Sequence, residues 1–292
     1  MELHEPLNRY TSFRIGGPAD YYFEPADRED LTRLVRYLNK RKVPFIVIGG
    51  GSNLLVSDDG VRSAVINVEK GLNRIQDEGA TITVEAGVRI ARFVDFCIQK
   101  GLQGVEMLPG IPGTIGGAVV MNAGAYGGEI SDYLVEVEIL RDGEIVRVQK
   151  KNAGFAYRRS GFQNDVVLGA MFTLPEGDRA ALIRARRAVL VKRNQTQPLN
   201  MPNSGSVFKN PQGKFAAKLV EDAGLKGTTI GNAKISERHG NFIVNMGNAT
   251  AMDIIELIKL ARKTVVERFG IKLELELKLI GFSESLYQEV HA

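Results

Sequence analysis

The sequence predicts an α+β protein of three lobes. Three observations carry that reading. The first 62 residues hold one amphipathic helix and two short apolar runs separated by glycines. From about residue 72 the pattern turns mainly to strands, and after the boundary at 175–178 long helical stretches mix with strands. A chain of 292 residues is long enough for such a division and for a sizeable core.

The elements follow in order. Asp27 can cap a helix over 28–42, with Leu31, Leu34, Val35 and Leu38 as its apolar stripe. A strand at 45–49 runs into three glycines, and a second strand is expected near 64–68. "TITVEAG" (81–87) alternates, and "RIARFVDFCIQKGL" places Ile90, Val94, Cys97 and Ile98 on one helical face. "LVEVEILRDGEIVRVQK" (134–150) reads as a hairpin turning at Asp142-Gly143. "VVLGAMFTL" (166–174) is another strand, and Pro175-Glu176-Gly177-Asp178 marks a boundary. Residues 179–193 are helical and arginine-rich, which favours a solvated face. A long loop over 195–213 precedes helices at 214–223 and 251–268 that flank a strand near 241–246. "IKLELELKLIGF" (271–282) alternates as a strand would, and 284–292 reads as a frayed tail.

Composition excludes several classes. Lysine and arginine number 38 against 34 acidic residues, a net charge of +4 that is too small for a nucleic-acid binder but suits an anionic small molecule. A single cysteine permits no internal disulfide, and Cys97 on an apolar stripe reads as core. His4, His239 and His291 lack metal-ligand spacing, so no metal is expected. No apolar stretch is long enough to span a bilayer and no signal peptide is evident, so a cytoplasmic protein without membrane insertion is expected, and a monomer.

The glycines cluster twice. "FIVIGGGSNLLVSDDG" (45–60) is not a dinucleotide fingerprint, because a pattern begun at Gly49 ends on Leu54 and no helix follows. It is not a P-loop either, since no Gly-Lys-Ser/Thr stands there. A strained turn without a ligand is the plain alternative. "PGIPGTIGGAVVMNAGAYGG" (109–128) is too rich in glycine for a regular helix or strand. Two such stretches beside β-structure suggest two backbone cradles around one extended, diphosphate-containing cofactor such as FAD.

These motifs, with "TSFRIGG" (11–17), "YRRSGF" (157–162), "GSVFKNP" (205–211) and "LELELKLIG" (273–281), resemble the UDP-N-acetylenolpyruvoylglucosamine reductase family, in order and over nearly the whole chain. The spacing leaves little room for the insert of the longer family type, so the chain resembles the shorter, second type. The resemblance implies a vanillyl-alcohol-oxidase/PCMH-type FAD-binding fold of two lobes, 1–62 and 63–174, plus a C-terminal α+β substrate-binding domain, 175–292. It implies FAD and NADPH as cofactors. The substrate implied is UDP-N-acetylglucosamine-enolpyruvate, reduced to UDP-N-acetylmuramate for peptidoglycan precursor synthesis.

Carried over residue by residue, the resemblance implies FAD contacts at Gly49, Gly50, Gly51, Ser52, Asn53 and Leu54. On the second cluster it implies Gly110, Ile111, Pro112, Gly113, Thr114, Gly116, Gly117, Asn122 and Gly124. Arg158 would polarise the substrate carboxylate, Ser206 would protonate the intermediate, and Glu276 would help hold it. Tyr157, Lys209, Asn210 and His239 are implied substrate contacts. Residue chemistry agrees, because a guanidinium grips a carboxylate in a fork and cannot lose its charge. Without the resemblance each has a plainer reading: a loop serine, a surface cation, a solvated strand face over Glu274, Glu276 and Lys278, a structural histidine. The rival functions are a flavoprotein of the same fold with another substrate, and a flavin-binding module without catalysis. "GSVFKNP" and "YRRSGF" argue against the first, and the three catalytic matches against the second.

Overall fold

The computed structural model describes residues 1–291. The chain forms two compact units. One gathers Tyr22–Gly50 and Ser63–Arg193 with Met1; the other gathers Glu2–Tyr21, Gly51–Arg62 and the stretch from Asn194 on.

In the first unit, helix α1 (Arg28–Arg41) starts where the Asp27 carboxylate accepts the Asp30 N–H and ends at Lys42 in the left-handed conformation. It buries Leu31, Val35 and Leu38, each such side chain contributing about 1.5–3 kcal/mol. The strand Phe45–Ile48 pairs in parallel with 64–67. An antiparallel five-stranded sheet runs in the order Glu144–Gln149, Leu134–Arg141, Val166–Thr173, Thr81–Glu85, Ile75–Glu78. Its hairpin turns at Asp142 (φ 50°) and Gly143 (φ 82°), the left-handed pair that a two-residue turn between right-twisted strands requires. Helix α2 (Ile90–Gln99) covers the sheet, with the Phe93 and Phe172 rings 4.8 Å apart. Cys97 is fully buried there, and burial pushes its thiol up to about 12, the behaviour of a packing residue.

The second glycine cluster departs from expectation, because Ile115–Met121 forms a short helix, α3. Gly116 lets it pack: a Cβ there would stand 2.9 Å from the Ala86 methyl. Helix α4 (Arg179–Thr196) is also less solvated than its arginines suggest. Arg186 pairs with Asp95 at 2.6 Å, and Arg193 lies half-buried along Gly110, while Arg184 and Arg187 face water.

The second unit holds a three-stranded antiparallel sheet in the order Thr229–Ile230, Ala233–Ile235, Ile243–Asn245. Helices α5 (Ala216–Asp222), α6 (Ala251–Phe269) and α7 (Glu284–His291) accompany it. Thr250 and Asp253 close a reciprocal cap on α6, and the Asp58 carboxylate accepts the Ala251 N–H at 2.8 Å. Residues 271–282 do not form one strand. Only Lys278–Ile280 form a strand, in parallel with Leu54–Val56; 274–277 bond instead to the loop at Val207–Lys209, around an isolated bridge between Phe208 and Leu275. The stretch read as a frayed tail folds as α7 as far as His291, with Val290 fully buried and Glu289 paired to Lys259 at 2.8 Å. Its apolar positions pack because α6 offers a matching face. Among the described residues no helix is long and apolar enough to cross a membrane.

Candidate functional site

In the first unit the two glycine clusters meet. A Cβ on Gly49 would stand 2.2 Å from Thr114 Oγ1, and one on Gly50 would stand 3.3 Å from Gly113 Cα. Gly113 itself has φ +112°, open only to glycine without strain. At the start of α3 the Ile115 and Gly116 N–H groups donate to the Val88 and Ala86 carbonyls. The Gly117 N–H, next in line, meets no acceptor among the described residues. The nearest atom to a Cβ on Gly117 is Thr114 Oγ1 at 3.8 Å, so this backbone lies uncovered. A junction of bare backbone with an unspent donor fits a phosphate-bearing group.

Not every glycine of the motifs is there for a ligand. A Cβ on Gly51 would lie 1.8 Å from the Tyr10 carbonyl oxygen, and one on Gly124 would lie 2.6 Å from that of Gly128. With Gly116, these positions have packing reasons of their own.

The second cluster also holds Arg158. Tyr157 and Arg158 are the middle residues of a tight turn closed by two bonds between Ala156 and Arg159, and Arg158 has φ 54°. A left-handed backbone is strained for an arginine, a cost tolerated where surroundings fix it. Here the Arg158 guanidinium donates to the Gly124 carbonyl at 2.8 Å and lies 4.9 Å from the Tyr157 ring centre. Asn122, itself left-handed and buried, donates from Nδ2 to Glu129 at 2.7 Å and to the Ala156 carbonyl at 3.1 Å. Its Oδ1 has no partner among the described residues. Arg158 is half-buried, whereas Arg159 is exposed.

In the second unit the segments that carry Ser206 and Glu276 lie side by side, with Glu276 opposite Val207. Val207 accepts the Glu276 N–H at 2.9 Å, Phe208 bridges Leu275, and the Lys209 N–H donates to the Glu274 carbonyl at 2.8 Å. The segment holding Ser206 therefore runs antiparallel to the one holding Glu276. Asn241 fixes it, receiving the Phe208 N–H at 2.9 Å and donating to the Phe208 carbonyl at 2.7 Å. Asn53 lies on the same framework, because its Nδ2 donates to the Glu276 carbonyl at 2.9 Å. Gly205, before Ser206, has φ +74° and open space around it.

The remaining expected contacts have structural duties as well. Lys209 Nζ pairs with Glu274 at 3.3 Å, and Asn210 Oδ1 accepts the Ala216 N–H at the start of α5 at 3.0 Å. His239 Nδ1 accepts the Asn241 N–H at 3.3 Å, and its ring meets Phe242 edge-on. Burial, and then the Lys226 charge, hold this imidazole below its ordinary pKa, so it is neutral with the proton on Nε2. Sequence reasoning missed Asn241, and also the Glu69–Arg89 ion pair (2.5 Å) beside Gly50. Neither lies in a motif, and only the fold places them.

Comparison with known proteins defines the class first. A family model for the FAD binding domain matches residues 19–149, so the protein is a flavoprotein of that fold. A second model, UDP-N-acetylenolpyruvoylglucosamine reductase, C-terminal domain, matches residues 197–280. The UDP-N-acetylenolpyruvoylglucosamine reductase 2 of Symbiobacterium thermophilum is 46% identical over 95% of this chain and 91% of its own. The reductase of Caldanaerobacter subterraneus is 43% identical over 96% and 94%. The crystal structure of the Thermus caldophilus reductase superposes with a TM-score of 0.83 at 37% identity, covering 95% of this chain and 98% of that one. The chain belongs to the UDP-N-acetylenolpyruvoylglucosamine reductase family.

Proposed function

We propose that the protein reduces the enolpyruvyl group of UDP-N-acetylglucosamine-enolpyruvate to give UDP-N-acetylmuramate, a step of peptidoglycan precursor synthesis, with NADPH as reductant. The observation that carries this reading is the match to reductases along 95% of the chain. FAD, when bound, would supply the hydride chemistry of this reduction.

The chain's own residues bind, polarise and protonate. The backbone of Gly50, Gly113 and Gly117, with Gly49 held close by Thr114, would receive the cofactor diphosphate. Arg158, oriented by the Gly124 carbonyl, grips the substrate carboxylate and stabilises the charge that spreads into it. Ser206 gives its hydroxyl proton to the carbon beside that carboxylate, which is a far stronger base than the alkoxide left behind. Glu276, next to the Ser206 segment, acts in its protonated form to help hold the intermediate, because an ionised carboxylate would repel the charge that builds there. Tyr157, Lys209, Asn210 and His239 contact the nucleotide sugar. The protein works as a cytoplasmic monomer.

The test is NADPH oxidation by the purified protein with and without the enolpyruvyl UDP-sugar. Oxidation that needs the sugar and yields UDP-N-acetylmuramate is expected. Oxidation indifferent to the sugar would overturn the proposal.

A further inference from the structure

Gly50 has a charged neighbour that the reductase chemistry does not explain. The Glu69 carboxylate oxygen Oε2 lies 3.7 Å from where a Cβ on Gly50 would stand. Both Arg89 contacts, Nε at 2.7 Å and a terminal nitrogen at 2.5 Å, go to the other oxygen, Oε1. Arg89 is itself built into the junction. Its backbone bridges Thr114, and the following Ile90 N–H donates to the Gly113 carbonyl at 3.1 Å. The Glu69 side chain is 26% exposed and that of Arg89 60% exposed, so the carboxylate is the more deeply held member.

A fixed carboxylate beside a diphosphate cradle is an electrostatic error unless something neutralises it. Repulsion between like unit charges a few ångströms apart near a protein surface is worth about ten- to a hundredfold in an equilibrium constant. We infer that Arg89 is a positioning residue for cofactor affinity: by pairing with Glu69 it cancels the negative charge at the Gly50–Gly113 junction and lets a dinucleotide diphosphate enter. The inference rests on the reading that this junction holds FAD.

The experiment titrates flavin-free protein with FAD, followed by flavin fluorescence, with riboflavin as the phosphate-free probe. Arg89→Ala should weaken FAD binding about ten- to a hundredfold, less at high salt, and leave riboflavin binding unchanged. Arg89→Ala combined with Glu69→Gln should recover most of the lost FAD affinity, because the uncovered charge is gone. A merely structural role for Arg89 would weaken both flavins and would not be rescued. Wild-type affinity for FAD in Arg89→Ala, or no recovery in the double variant, would overturn the inference while leaving FAD binding at the junction intact. Wild-type protein that binds no FAD would instead overturn the reading on which it rests. Thermal unfolding of the flavin-free variants checks that each is folded.

Discussion

The Asn53 side chain donates to the Glu276 carbonyl at 2.9 Å, while the Asn53 carbonyl accepts the Lys278 N–H at 3.0 Å. One asparagine thus adds a rung to the parallel pairing of Leu54–Val56 with Lys278–Ile280 and fixes the backbone from which Glu276 projects. Asn53→Ala should cost about 1 kcal/mol of stability, the usual net worth of such a bond. Denaturant unfolding measures this. Turnover should fall further than the stability loss explains, because Glu276 loses its anchor; a variant with wild-type kcat would refute that link.

Ser206→Ala removes a proton donor without disturbing the bonds of Val207 and Phe208 that hold the segment. Turnover should fall by about 10²–10⁴-fold, the span of general-acid contributions. Bleaching of the flavin absorbance by NADPH alone should stay near wild type, since it needs no proton from this hydroxyl. Stopped-flow absorbance separates the two halves. Equal collapse of both would mean that Ser206 positions ligands rather than donating a proton.

Gly50 tests the junction of the two glycine clusters. Its backbone lies outside the left-handed region, so a side chain is tolerated conformationally, but a Cβ meets Gly113 Cα at 3.3 Å. Gly50→Val should fold and yet lose at least about tenfold in FAD affinity, because a branched side chain covers the bare backbone. Equilibrium dialysis against FAD measures it, and unchanged affinity would refute the cradle.

His239 gives a pH signature. Burial and then Lys226 depress its pKa in the folded protein below the ordinary value of 6.5. Below that pH the unfolded chain takes up a proton that the folded one refuses. The stability contribution is therefore full above about pH 6.5 and is lost as pH falls toward the depressed folded value. His239→Phe should flatten this part of the stability–pH curve, which urea unfolding across pH 5–8 would reveal as an absent slope.

Local pattern made much of this legible in the sequence. The α1 stripe, the Asp27 cap and the Asp142-Gly143 hairpin are written in residues a few places apart, and each folds as read. The motifs named the cofactor class because glycine is the residue that lets backbone approach a phosphate. Alternation over 271–282 misled, because the period of a strand tells which side chains share a face and not which partner takes the backbone bonds. The tail misled for the same reason, since a short amphipathic stretch is helical only where α6 gives its apolar face a partner.

The sequence by itself determined the residue types and their order: the two glycine stretches, an arginine able to stay charged, a serine and a glutamate. Tertiary structure decided which of them touch. It set Gly50 against Gly113, turned Arg158 rather than Arg159 toward the Gly124 carbonyl, and laid the Ser206 segment beside Glu276. It alone brought in Asn241 and the Glu69–Arg89 pair, which carry no motif. The physical reason is the range of the forces. Propensity and capping act within a few residues along the chain, whereas long-range hydrogen bonds and charge pairs exist only after packing brings distant segments together.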